Sequence, residues 1–146
     1  MPGSPPRLLS VSPDVLTLPR TMVDQVLAHA RRDHPDECCG VIVAKDGLPT
    51  RLFEMENAER SPTGFTFASA EWLRVYRDLD DADEEPWVVY HSHTATEAYP
   101  SRTDIRWSET AGFPYWLLVS TRADEDEVRA FTITAGVVTE VGLQQT

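Results

Sequence analysis

A chain of 146 residues, 41% hydrophobic and 25% charged, is long enough to bury one core without covalent staples. Its net charge of −11 excludes a nucleic-acid binder, which needs a basic footprint. No apolar run approaches a membrane span, the Pro-rich start lacks the order of a secretory signal, and only two cysteines occur, so a cytoplasmic protein free of membranes is expected.

Residues 1–12 read as a flexible tail and residues 13–146 as a single domain. Thr21 is the expected cap of a helix that carries Met22, Val23, Val26, Leu27 and Ala30 on one face and ends near His34-Pro35. A strand over 38–44, a turn at Lys45-Asp46-Gly47 and a strand over 51–56 follow. After a loop over 57–64, Phe65-Thr66-Phe67 reads as a short strand. Ser69 is the expected cap of a second helix with Trp72, Val75, Tyr76 and Leu79 turned inward. The acid run from Asp78 to Glu85 opposes that helix's macrodipole and predicts fraying; such a run is ordinarily a solvated face, with docking of a basic partner as the alternative.

Trp87-Val88-Val89-Tyr90 is β-branched and aromatic and reads as a buried strand, and a short helix is expected over 101–109. Strands over 115–120, 127–134 and 137–141 close the chain, the last two joined at Ala135-Gly136. No internal repeat is present. Helices separated by groups of strands predict an α/β domain of three α/β/α layers around a mixed β-sheet.

The chemistry concentrates in one stretch, His91-Ser92-His93 followed by Ser101 and Asp104. Side chains alternate along a strand, so His91 and His93 project to one side while Ser92 points away. Ser101 and Asp104, three apart, share one face of a helix's first turn. Two imidazoles and a carboxylate make three zinc ligands and leave the fourth tetrahedral position for water, the pattern of a catalytic site. Ser-x-x-Asp is also a helix cap, so Ser101 is read as capping the helix as well. A general base is needed, and Glu37, at the mouth of the 38–44 strand, is one candidate among neighbouring acids. Cys38 and Cys39 face opposite sides, which disfavours a disulfide between them. Cys39 shares the face of Glu37 and is read as a small buried hydrophobe rather than a redox-sensitive neighbour.

The spacing of Glu37, His91-x-His93, seven residues, Ser101, two residues and Asp104 resembles the JAMM (MPN-plus) metalloproteases, and His34-Pro35-Asp36 resembles the family's lead-in to its glutamate. Thr94 departs from the pattern, in which proline is common. The resemblance implies His91, His93 and Asp104 as zinc ligands, Glu37 as general acid/base, Ser101 as oxyanion stabiliser, and a fold similar to that of cytidine deaminases. Deaminase chemistry itself is disfavoured, because the chain has no Cys-x-x-Cys. The run Tyr99-Pro100-Ser101-Arg102-Thr103-Asp104 resembles a bacterial branch, the Mec-like proteins. That branch implies hydrolysis of the amide after the C-terminal Gly-Gly of a ubiquitin-like sulfur-carrier protein, releasing cysteine for sulfur transfer. Removal of a ubiquitin-like modifier from protein lysines is the alternative, and a non-catalytic MPN scaffold ranks last. The expected partner is the carrier's extended tail, with the groove placed near Phe65-Thr66-Phe67; pairing of two copies stays open, as do the roles of Arg102 and Arg106.

Overall fold

The computed structural model describes residues 15–146, so the tail expected over 1–12 lies outside the described residues. The elements run β1 (Val15–Leu18), α1 (Arg20–Asp33), β2 (Cys39–Lys45), β3 (Leu48–Met55), α2 (Ser69–Ala82), β4 (Glu85–His93), α3 (Arg102–Ala111), β5 (Tyr115–Ser120), β6 (Glu127–Thr134) and β7 (Val137–Gln145). The strands form one seven-stranded sheet in the order β1-β7-β6-β5-β4-β2-β3. The β1–β7 and β4–β5 pairs are parallel and the rest antiparallel, which is the mixed sheet expected.

The three layers follow from which side chains each strand turns to each face. On one face, Val23, Val26 and Ala30 of α1 pack with Leu16, Leu18, Ile42, Val88, Leu117 and Val119. On the other, Val75 and Leu79 of α2 join Val41, Val43, Val89, Trp116 and Leu118, with Trp107 and Ala111 of α3 against them. Because both faces are covered, β2 is buried from Cys39 to Ala44 and reads as a continuous apolar run. Gly40 is required within it: a Cβ there would lie 2.2 Å from the ring of Tyr90, its register partner on β4. That ring is pinned by its hydroxyl, 2.7 Å from Nδ1 of His29 on α1.

Several local expectations change. β1 is a further strand, with Leu16 and Leu18 inward, pairing with the far end of the chain. Thr21 does not cap α1: Pro19 holds the N-cap position without a side-chain hydrogen bond, while the Arg20 amide donates to the Thr146 carbonyl at 3.0 Å. Proline suits a helix start because its φ is preset and its missing donor has no partner to lose there. Ser69 likewise lies inside α2, with Ala68 at the cap. Tyr76 is 54% exposed rather than inward. Phe65-Thr66-Phe67 makes one isolated bridge, Asn57 with Phe67, rather than a strand, and both phenyl rings pack into the core. The acid run does not end α2 early. The helix continues to Ala82 and closes on Asp83 in the left-handed region (φ 57°). Arg51 donates to Asp78 at 2.7 Å and, through Nε, to Glu84 at 2.9 Å, which offsets the local repulsion.

Candidate metal centre

β4 extends through both histidines, so they project from a paired strand rather than from its loose end: it is held on both sides at His91 and by β5 alone at His93. His91 pairs with Cys39 and Leu118, and His93 with Ser120. Ser92 faces the opposite way, and its hydroxyl accepts the Cys38 amide at 2.9 Å. That bond ties the start of β2, and with it Glu37, to the histidine strand.

α3 brings the carboxylate. Ser101 is its N-cap, and the capping box is complete: the Asp104 amide donates to Ser101 Oγ at 3.1 Å and the Ser101 amide to Asp104 Oδ2 at 2.8 Å. The capping function expected of Ser101 is therefore present, and the same box aims Asp104 at the imidazoles. Asp104 Oδ1 lies 3.0 Å from His91 Nε2, and Oδ2 lies 3.3 Å from His93 Nε2.

One donor atom from each of His91, His93 and Asp104 falls within 4.8 Å of the others, and all three residues are buried. His93 donates its Nδ1 proton to the Glu97 carbonyl at 2.9 Å, which turns Nε2 towards Asp104. His91 is 1% exposed, yet neither of its ring nitrogens makes a hydrogen bond; the short approach to Asp104 lacks hydrogen-bond alignment. A fully buried imidazole rarely goes unsatisfied, so this group fits a role as metal ligand. Phe65 stacks on its ring at 4.5 Å between centroids.

The electrostatics agree. Burial opposes charge on His91, but Asp104 and Glu37 outweigh it and raise its pKa to about 9. Burial alone would push the Asp104 carboxyl up; His91, His93 and the Ser101 amide together hold it well below the usual carboxylate range. Two carboxylates thus demand positive charge between the imidazoles, which a divalent cation satisfies. These three residues can hold one metal ion.

Glu37 reaches the same place. It is 5% exposed, and Oε1 lies 3.5 Å from His91 Nδ1. Glu37, His93, Ser101, Asp104 and Trp107 line a cleft of about 370 Å³ whose outer wall is Pro62 to Phe65. Four of the five residues expected at the site line this cleft, and His91 is buried behind them, between Asp104 and Glu37. Cys39 lies in the core on the strand beside His91, its Sγ 3.9 Å from the Met55 carbonyl, and burial pushes its thiol far up. It behaves as the buried hydrophobe expected. Arg102 and Arg106 are exposed on α3 and line no part of the cleft. Thr94, the departure from the pattern, donates its hydroxyl to the Pro62 carbonyl at 3.0 Å and so joins the two rims, which proline could not do.

Ser101 uses its oxygen as an acceptor in the cap, so its hydroxyl proton remains available to the cleft. Ser101→Ala is expected to lower kcat on the order of a hundredfold, with a smaller change in KM. It should also cost about 1 kcal/mol of stability through the lost cap, read by thermal melting. An unchanged kcat would leave Ser101 with the cap alone.

Comparison with known proteins adds four likenesses. Residues 19–134 match the family model for prokaryotic homologs of the JAB domain. The chain is 51% identical over 129 residues to a protein of Mycobacterium tuberculosis named CysO-cysteine peptidase, covering 86% of this chain and 88% of the relative. It is 27% identical over 123 residues to a Thermus thermophilus protein named as a probable TtuB-protein conjugate cleaving protease, covering 84% of this chain and 78% of that one. In fold it resembles a JAB1/MPN domain protein from Archaeoglobus fulgidus, with a TM-score of 0.59 at 17% identity, covering 90% of this chain and 99% of that one.

Proposed function

The chain belongs to the family of prokaryotic JAB-domain homologs, and within it we propose a zinc peptidase acting on a ubiquitin-like sulfur-carrier protein in the cytoplasm. It cuts the amide bond after the carrier's C-terminal Gly-Gly and releases cysteine. One observation carries the reading: a buried His91, His93 and Asp104 set with Glu37 beside it at the end of a cleft. The 51% identity to a protein named CysO-cysteine peptidase supports this substrate class. Among the described residues no helix is long and apolar enough to cross a membrane.

His91, His93 and Asp104 would hold the ion. Zinc bound by three protein ligands supplies Lewis acidity and brings the pKa of water towards neutrality. Glu37 takes the proton of the attacking water and returns it to the leaving amine as the C–N bond breaks. Ser101 donates to the carbonyl oxygen as it gains charge, a contribution of roughly 3 kcal/mol for one such donor elsewhere. The products are the carrier's glycine carboxylate and the free α-amine of cysteine. Glycine suits the tail, since a chain without side chains can lie extended between the Pro62–Phe65 wall and the Thr94–Thr96 rim.

The second reading, removal of a ubiquitin-like modifier from lysine, draws on the Thermus relative, at about half the sequence identity. Both readings use the same chemistry and differ in the leaving amine. The test offers zinc-loaded protein a carrier ending in Gly-Gly-Cys and, separately, the same carrier joined to a protein lysine. Mass spectrometry should show the first shortened by one cysteine and the second intact. Cleavage of the lysine conjugate alone would favour the second reading, and cleavage of neither would overturn both.

A further inference from the structure

We infer that Asn57 is a positioning residue for Glu37, an inference that rests on Glu37 being the proton-transfer group proposed above. Asn57 follows β3, is 6% exposed, lines no part of the cleft and hydrogen-bonds to none of His91, His93 or Asp104. Its amide nitrogen donates to the Glu37 carbonyl at 2.9 Å and to the Gly64 carbonyl at 2.9 Å. Its side-chain oxygen accepts the Glu59 amide at 3.0 Å and the Thr66 amide at 3.2 Å. Both donors and both acceptor positions are used, every one on main chain.

A buried amide is costly unless satisfied, and this one is satisfied only by joining two segments. One is the main chain of Glu37; the other is the 59–66 stretch that walls the cleft. A second bond links the same two segments, from the Glu37 amide to the Ser61 carbonyl at 2.9 Å. Glu37 is therefore held at both its N–H and its C=O by the segment that starts at Asn57. The wall so fixed also stacks Phe65 on His91 and receives the Thr94 hydroxyl at Pro62. Asn57 sets the Glu37 carboxylate against His91 without touching substrate.

Asn57→Asp isolates this role. Aspartate keeps the acceptors for Glu59 and Thr66 but faces the Glu37 and Gly64 carbonyls with lone pairs in place of donors. A displaced proton-transfer group is costly, so kcat should fall roughly ten- to hundredfold while zinc stoichiometry holds; a change in KM would report the lost Gly64 bond in the cleft wall, not Glu37. The decisive comparison is a double-mutant cycle with Glu37→Gln, using a carrier ending in Gly-Gly-Cys under single-turnover conditions. If Asn57 acts through Glu37, Asn57→Asp should cost less than about twofold once Glu37→Gln is present. The same factor on both backgrounds, or loss of zinc from the single variant, would overturn the inference. A full rate in Glu37→Gln alone would instead overturn the role of Glu37. Should Asn57→Asp not fold by circular dichroism, Asn57→Ser, which retains one donor, enters the same cycle with the same two outcomes.

Discussion

Glu37→Gln is expected to retain stoichiometric zinc while losing roughly a hundred- to ten-thousandfold in kcat, the span a positioned acid/base contributes. The substitution is nearly isosteric and leaves the three candidate ligands untouched. Glu37 belongs to none of the close pairs that bring His91, His93 and Asp104 together; it stands 3.5 Å from His91 on the other side of that ring. Its main-chain bonds to Ser61 and Asn57 do not involve the carboxylate, so the fold should be unaffected. Metal analysis and single-turnover kinetics on the same sample check the result. An undiminished rate would mean that another group moves the proton.

Asp104→Ala has the opposite signature: zinc and activity should disappear together. Losing one of three ligands removes the anionic donor and leaves only the imidazoles of His91 and His93 to hold a cation. The same carboxylate completes the α3 capping box, so the variant should also melt earlier, by about 1 kcal/mol of stability. Asp104→Asn separates the two effects. Its side-chain oxygen can still accept the Ser101 amide and keep the cap, while the neutral amide is a poor zinc ligand. Full metal content and full rate in Asp104→Ala would remove this residue from the ligand set.

The site was legible because its residues lie in two short stretches with strong local rules. Alternation along β4 places His91 and His93 together whatever else the sheet does, and Ser101 with Asp104 writes a helix start in four residues. Glu37 was different: spacing offered it only as one acid among several, and the family pattern singled it out. The closing strands β5 and β6 were readable to the residue, because each is an apolar or alternating run bounded by turn residues. β1 was not, since four residues carry little pattern and its partner is the last strand of the chain. The helix starts misled for a similar reason. Thr21 and Ser69 have the right side chains for caps, but the helices begin earlier, at Pro19, with Arg20 tied to the distant Thr146 carbonyl, and at Ala68, neither with a side-chain cap. Asn57 gave no signal at all. A lone asparagine after a strand looks like a turn residue, and its four bonds appear only once Glu37, Gly64 and Thr66 are in place.

The most direct test is diffraction from crystals grown with zinc, recorded on both sides of the zinc absorption edge. The account predicts one strong anomalous peak bonded by His91, His93 and Asp104, within reach of Glu37. A peak elsewhere, or none where those three side chains meet, would contradict it.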